Sequence, residues 1–256
     1  MKRPTVRSCM LAWVVVVACG DDPNFERSGT NPETPVEPQF DESVGVANDD
    51  ESASPGDAAT SPPCGAAGEF DEVVDVDGYA QSFRLKIPEN LAPGAPVIVQ
   101  LHGALGSIEK MENVTDLPAL AESEGFVLAT PLGAEVAAGL GIWNAGACCG
   151  APETDHVAAL SAVIERTLER ASCLDEGSVF VAGQSNGAMM AYRLACQVSD
   201  RLAGIITNAG YLANQPEGRS ADERFECANY RPLPILHIHG LQDPLVPYGG
   251  NALGQP

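Results

Sequence analysis

Positive charge is scarce in this 256-residue chain. Lysine and arginine together number 14, against 35 aspartate and glutamate residues, so the formal net charge is −21 at pH 7. Such a chain repels the phosphates of nucleic acids and the headgroups of anionic membranes at long range. The composition therefore argues against nucleic acid as a partner and favours a neutral or cationic substrate.

The apolar run near the N-terminus, Met10 to Val17, is too short to span a bilayer. Basic residues precede it at Lys2, Arg3 and Arg7, and small residues follow it up to Cys19. This pattern predicts an export signal over residues 1–18 and resembles a bacterial lipobox, in which Cys19 becomes the lipidated first residue. An ordinary secretory signal with an incidental cysteine is the alternative. We expect an exported protein, lipid-anchored to the cell envelope or secreted, that touches a membrane only through this lipid.

Residues 19–63 contain little that could form a core. Eleven acidic residues face a single arginine, Arg27, and proline, serine and glycine fill much of the rest. Such a segment buries too little apolar surface to offset the entropy lost on ordering. We predict an extended, disordered tether.

No C-x-x-C spacing is present, which argues against a metal cluster built on cysteine. Beyond the signal and Cys19 the cysteines number six, and an even count in an exported domain indicates disulfide bonds. The sequence does not choose among the pairings, although we expect the two adjacent cysteines to have separate partners. The candidates are Cys64, Cys148, Cys149, Cys173, Cys196 and Cys227.

Residues 64–256 read as one α/β domain. Apolar runs at 97–101, 126–129, 179–183, 204–208 and 234–239 are typical of strands buried on both faces, and helical periodicity separates several of them. Residues 73–76 and 83–87 read as two earlier strands at an antiparallel edge. The alternation predicts a three-layer sandwich around a mostly parallel sheet, with ligands beyond the carboxyl ends of its strands.

The run ending at Gly183-Gln184-Ser185-Asn186-Gly187 carries the clearest chemistry. An apolar strand enters this G-x-S-x-G motif and a helix leaves it, which presents Ser185 on a sharp turn as a nucleophile. Attack on an ester needs backbone N–H donors for the oxyanion. We expect them from Asn186 and from the loop after His102, at Ala104 or Leu105. His102 is expected to orient that loop.

Asp243 is the candidate acid of the site. It follows the strand at 234–239 and would hold the tautomer of a catalytic histidine. Asp155 is expected to cap the helix that follows it. We expect no cofactor.

Three separate segments resemble the polyhydroxybutyrate depolymerase and feruloyl esterase family of secreted α/β-hydrolases. They are Trp143-Asn144-Ala145-Gly146 with Cys148-Cys149, the segment from Gly183 to Cys196, and the segment from His239 to Tyr248. The resemblance implies an α/β-hydrolase fold and a carboxylic-ester hydrolase acting on polyhydroxyalkanoate or on feruloylated polysaccharide. It also implies substrate-binding roles for Trp143 and Asn144. His156 departs from the family pattern, which usually has an aspartate there.

The catalytic histidine is missing from this sequence. In this fold the triad order is Ser, Asp, His, yet His102, His156, His237 and His239 all precede Asp243. We therefore expect a domain truncated at its C-terminus, without its last strand and helix, and a chain with little or no activity. A non-catalytic, polymer-binding surface lipoprotein with a hydrolase-like fold is the alternative, and a His-x-His metal site with Asp243 is a third option.

Overall fold

A mixed sheet forms the centre of the structure, a computed structural model that describes residues 14–19 (backbone only), 64–146, 148–149, 153–213, 227 and 231–249. Residues 20–63 of the predicted tether therefore lie outside the described residues. In chain order the strands are β1 (Val14–Cys19), β2 (Gly68–Val76), β3 (Tyr79–Ile87), β4 (Ala95–Leu101), β5 (Val127–Pro131), β6 (Ala134–Ala137), β7 (Leu140–Ile142), β8 (Leu174–Gln184), β9 (Gly204–Asn208) and β10 (Ile235–Gly240). The helices are α1 (Ile108–Val114), α2 (Leu117–Glu124), α3 (His156–Arg170) and α4 (Asn186–Gln197), with a 3₁₀ turn at Ser199–Arg201.

The order of strands across the main sheet is β1-β10-β9-β8-β4-β5-β3-β2. The pairs from β1 to β5 in this order are parallel, whereas β3 is antiparallel to β5 and β2 to β3. This confirms the predicted mostly parallel sheet with an antiparallel edge. The carboxyl ends of β4, β8, β9 and β10 lie at one edge, which places the loops after Leu101, Gln184, Asn208 and Gly240 together.

Burial explains why these segments are strands and helices. Strand β5 is buried along its whole length, while β3 alternates between buried and half-buried positions, as a strand near a sheet edge does. Helix α3 buries one stripe, which includes Leu160, Val163 and Ile164, against the core. Its first turn is capped by the Asp155 carboxylate, which accepts from the N–H groups of Val157 and Ala158. The predicted cap is thus confirmed.

Strand β1 coincides with the end of the predicted export signal. It runs parallel to β10, with Val14 opposite Ile235 and Cys19 opposite Gly240. The outer side of β10 is therefore paired, and no strand follows β10 in the part of the chain that the structure describes. The signal and the lipidation of Cys19 stay predictions. No helix among the described residues is long and apolar enough to cross a membrane.

Three disulfide bonds join the six cysteines: Cys64–Cys173, Cys148–Cys149 and Cys196–Cys227. The expectation that Cys148 and Cys149 have separate partners is wrong. The fold places Cys64 next to Cys173 and Cys196 next to Cys227, so Cys148 and Cys149 bond to each other.

Candidate active site

Ser185 stands at the turn between β8 and α4, where the sequence predicts the nucleophile. Its backbone has φ 52° and ψ −118°, outside the regions that a non-glycine residue prefers. The side chain is half-buried, next to the exposed Gln184. A Cβ on Gly183 would clash with the backbone of Gly187, and a Cβ on Gly187 would clash with the carbonyl of Leu101. The two glycines are therefore required by the close approach of strand, helix and β4.

The turn is tied to the neighbouring strand. The Ser185 N–H donates to the carbonyl of Asn208 at 2.8 Å, and the Ala209 N–H donates to the carbonyl of Ile238 at 2.9 Å. These bonds join the ends of β8, β9 and β10. The backbone of Ser185 is thus fixed from outside its own helix, which is how a strained conformation persists.

The predicted oxyanion loop lies at the same edge. Ala104 and Leu105 are exposed and form the middle of a turn closed by a bond of 3.0 Å from the Gly106 N–H to the Gly103 carbonyl. Leu105 has a positive φ of 56°. A Cβ on Gly103 would lie 3.5 Å from the Cβ of Ser185, so this loop passes directly beside Ser185. The Asn186 N–H, at the first position of α4, has no acceptor within its own helix.

His102 orients that loop from beneath. Its Nε2 accepts from the Gly133 N–H at 2.9 Å, so its Nδ1–H donates to the Gly103 carbonyl at 2.7 Å. Burial lowers the pKa of His102, which keeps the ring neutral in this role. Both ring nitrogens are engaged away from Ser185.

Trp143 and Asn186, the residue after Ser185, bind each other through two hydrogen bonds. The Trp143 N–H donates to Asn186 Oδ1 at 2.7 Å, and Asn186 Nδ2 donates to the Trp143 carbonyl at 3.2 Å. The indole Nε1–H donates to the carbonyl of His102. Trp143 is 0% exposed. The indole thus contacts the strand end before the oxyanion loop and the backbone of Trp143 contacts α4, while its substrate-binding role stays a prediction.

Asn144 also serves the scaffold. Its N–H donates to His156 Nδ1 at 2.8 Å, its side-chain amide donates to the Thr154 carbonyl, and its own carbonyl accepts from Arg193. These contacts hold Asn144 against α3, α4 and the segment before α3, and its substrate-binding role stays a prediction.

His156, whose role the sequence left open, is a buried anchor at the start of α3. Besides the Asn144 N–H, the Ala134 N–H points at its Nε2 from 3.2 Å. A neutral imidazole has only one acceptor nitrogen, so it can accept only one of these two donors. The ring also packs edge-on against Trp143, with centroids 5.1 Å apart. Mainly through burial, its pKa is lowered to about 4. A fully buried imidazole could not have been recognised from the sequence.

Asp243 lies on the loop after β10, at the edge that carries Ser185. Its Oδ1 accepts from the N–H groups of Leu245 and Val246, both at 2.9 Å. The bond from Val246 is the largest cause of a lowered pKa for Asp243. The carboxylate is therefore held in its charged form.

His237 and His239 point from β10 into a polar cluster. His237 Nδ1 lies 3.0 Å from the hydroxyls of Tyr192 and Thr207, and its Nε2 lies 3.2 Å from His239 Nδ1. His239 Nε2 lies 2.6 Å from the carbonyl of Val246. Within the described residues, no group of three or more histidine, cysteine, aspartate or glutamate side chains is arranged to hold a metal ion.

A mostly parallel sheet with a strained serine between strand and helix, a turn-forming loop after β4 and an aspartate after β10 defines an α/β-hydrolase. The phospholipase/carboxylesterase family model matches residues 154–255, which include Ser185 and Asp243.

Relatives and structures support the same placement. NocK of Nocardia uniformis subsp. tsuyamanensis, which carries a provisional assignment as an esterase, is 34% identical over 70% of this chain and 49% of its own length. Feruloyl esterase C of Emericella nidulans is 28% identical over 77% of this chain and 67% of its own length. The acetyl xylan esterase from Aspergillus awamori shares the fold with a TM-score of 0.56 at 18% identity, covering 72% of this chain and 76% of that one.

The chain therefore has an α/β-hydrolase fold and is similar to esterases of that fold. It spans about half the length of NocK and 27% of a further relative, feruloyl esterase B of Piromyces equi. The narrower likeness to polyhydroxybutyrate depolymerases stays a prediction.

Proposed function

We propose that this chain carries the nucleophile and the acid of an exported serine carboxylic-ester hydrolase. The observation that supports this most is the backbone of Ser185, strained and fixed at a turn whose glycines admit no side chain. Strain of this kind is costly and persists mainly where function requires it. The names of the relatives agree with ester hydrolysis.

The proposed chemistry is acyl transfer. Ser185 Oγ attacks the ester carbonyl as a base removes its proton, and the negative charge that develops on the carbonyl oxygen is met by the N–H groups of Asn186 and of Ala104 or Leu105. Collapse of this intermediate releases the alcohol and leaves an acyl-serine, which water then hydrolyses. Asp243 would orient the base and stabilise its charged form.

The base in this scheme is a histidine outside the 256 residues. All four histidines of the chain are described, and both ring nitrogens of each lie against groups other than Ser185. We therefore expect these residues alone to hydrolyse esters little above background.

The proposed substrates are esters of plant polysaccharides, as the names of the feruloyl and acetyl xylan esterases suggest, with polyhydroxyalkanoate as the alternative polymer. Exposed apolar side chains on the loops after β4, β9 and β10 support an ester with a hydrocarbon or aromatic part. They are Leu105, Leu212, Leu245 and Tyr248. The disulfide bonds support export, since such bonds persist in oxidising compartments.

Hydrolysis of p-nitrophenyl acetate tests the proposal. A chain extended through the downstream codons to a natural stop is expected to turn over, and Ser185→Ala in that chain to lower kcat by a factor of about 10⁴ or more. Asn208→Ser, at an exposed neighbour that contributes only its backbone carbonyl to the turn, is the control and should stay active. Full activity in the serine variant would contradict the assignment.

A non-catalytic binding protein is the second candidate. The engaged nitrogens of all four histidines favour it, because nothing in the described residues deprotonates Ser185. It predicts saturable binding of these 256 residues to arabinoxylan or polyester granules, with no turnover even in the extended chain. Ester hydrolysis by the extended chain that disappears with Ser185→Ala would eliminate it.

A further inference from the structure

The two histidines of β10 form a line of hydrogen bonds that ends on the loop of Asp243. Both side chains project from the same face of the strand, since they are two residues apart. His239 is 4% exposed, and His237 is half-buried between it and the hydroxyls of Tyr192 and Thr207. Each contact in the line is between 2.6 and 3.2 Å.

With both rings neutral, the Val246 carbonyl at one end fixes the direction of the hydrogens on both rings. The Val246 carbonyl can only accept, so His239 Nε2 carries a hydrogen and donates to it. His239 Nδ1 is then the acceptor of a neutral ring, and His237 Nε2–H donates to it. His237 Nδ1 is left as an acceptor for a hydroxyl of Tyr192 or Thr207. In this arrangement both rings are Nε2–H tautomers. Burial, with a smaller effect of His239, lowers the pKa of His237 in agreement.

The same line excludes His239 as the partner of the Asp243 carboxylate. His239 Nε2 lies 3.8 Å from Asp243 Oδ2, beyond a hydrogen bond, and its hydrogen is committed to the Val246 carbonyl. Asp243 Oδ1 accepts from the Val246 N–H. The peptide groups of Val246 are thus bound from two sides, by His239 at the carbonyl and by Asp243 at the N–H.

We propose that His237 and His239 are positioning residues that hold the 243–248 loop, and with it the Asp243 carboxylate, in place through the Val246 carbonyl. This rests on the proposed function insofar as Asp243 is the acid of the site. The two rings do not exchange protons with substrate. Asp243 Oδ1 already accepts from the Leu245 and Val246 N–H groups. The two rings therefore fix the direction in which the other oxygen, Oδ2, points.

Nitrogen NMR of the ¹⁵N-histidine-labelled chain tests the tautomers directly. His237 and His239 are expected to show protonated Nε2 and unprotonated Nδ1 at pH 7, whereas His102 shows the opposite tautomer and serves as an internal reference. The doubly substituted Tyr192→Phe, Thr207→Val chain should shift only the Nδ1 signal of His237 strongly. A protonated Nδ1 on His239 would overturn the proposal.

Two substitutions of His239 test the roles of its two ring nitrogens one at a time. The amide of His239→Gln reaches the position of Nε2 and can still donate to Val246, whereas that of His239→Asn reaches only the position of Nδ1. Hydrogen exchange at the Leu245 and Val246 amides should quicken about fivefold to tenfold in the Asn variant, the loss of one hydrogen bond, and little in the Gln variant. Leu245→Ala, at an 87% exposed side chain, is the matched control. Equal exchange in the Gln and Asn variants would contradict the role of Nε2.

Failure of this proposal is distinguishable from failure of the esterase assignment, because tautomers and exchange rates are measured without turnover. In the extended chain, a positioning role further requires that His239→Asn lower kcat with KM unchanged and that His239→Gln restore it. If kcat is equal in both variants while the tautomers are as expected, the pair holds the loop but does not act through Asp243, and the positioning role is overturned.

Discussion

Ser185 shows how much of the site is decided by single backbone positions. Its positive φ is maintained by the bond to Asn208 and by glycines that let three chain segments approach within contact. The G-x-S-x-G spacing made this residue predictable, because the motif encodes the turn itself. Trp143 was not predictable in the same way, since the sequence does not tell whether an aromatic ring faces substrate or the core.

Gly187→Ala is expected to destabilise the fold by about 3 kcal/mol, because the new methyl group would overlap the carbonyls of Leu101 and His102. Urea denaturation of the purified chain measures this. Gly177→Ala is the matched control, because its Cβ would meet only the side chain of Asp175 and its backbone is exposed. The control should change the free energy of unfolding by less than about 0.5 kcal/mol. Equal effects of the two substitutions would contradict the packing argument.

His156 predicts a dependence of stability on pH. Its pKa is lowered from 6.5 to about 4 in the folded chain, so the unfolded chain takes up the proton first as the pH falls. The stability contributed by the neutral ring is fully present above pH 6.5 and is lost as the pH falls toward 4. The loss amounts to about 3 kcal/mol.

Urea denaturation at pH 7 and pH 4.5 measures this loss, with His156→Gln as the comparison. Glutamine can accept a backbone N–H but does not titrate, so the variant should lose less stability between the two pH values. The difference between the two chains in the stability lost from pH 7 to pH 4.5 gives the contribution of His156, because the carboxylates and the other histidines are common to both. Parallel pH dependences in the two chains would show that His156 is not the responsible group.

At the scale of elements, the apolar periodicity predicted the strands of the parallel sheet and helix α3, because each buries a continuous face. The β6–β7 hairpin was missed, since Glu135, Val136 and Ala137 are exposed and leave no alternating pattern. Helix α1 was missed for a related reason, as it buries only Met111. Elements with little buried surface leave little trace in a sequence.

The cap of helix α3 gives a prediction at this scale. Asp155→Ala is expected to lower the free energy of unfolding by about 1 kcal/mol, because two N–H groups of the first turn lose their acceptor. Asp155→Asn keeps a side-chain oxygen and should retain most of the stability. Thermal unfolding of the three chains decides the point, and an alanine variant as stable as the asparagine variant would speak against the cap.

For the whole molecule, the disulfide pairing could not be predicted, since it depends on which distant segments the fold brings together. Cys64–Cys173 closes a loop over a sequence separation of 109 residues, whereas Cys148–Cys149 joins neighbours and closes none. The proposed catalytic site differs in the same way. Local motifs predicted that Ser185 and Asp243 follow strands of the sheet, but the contacts of all four histidines are visible only in three dimensions.

Removing the long-range bond is expected to cost more than removing the adjacent one. The doubly substituted Cys64→Ala, Cys173→Ala chain should lose about 2 to 4 kcal/mol, because a long loop in the unfolded chain is no longer closed. The Cys148→Ala, Cys149→Ala chain is the matched control and should lose far less. Denaturation under non-reducing conditions compares them, and a larger loss in the control would contradict this account.

Strand β1 has one further consequence for the molecule. Its residues, Val14–Cys19, pair with β10 in the folded chain and also form the end of the predicted export signal. A signal segment inside a secretion channel is not paired in a sheet. Residues 14–19 therefore cannot act as an export signal and pair with β10 at the same moment. A chain cleaved at the predicted signal would lose the pairing of Val14–Ala18 with β10, so this pairing requires that the signal residues stay attached after folding.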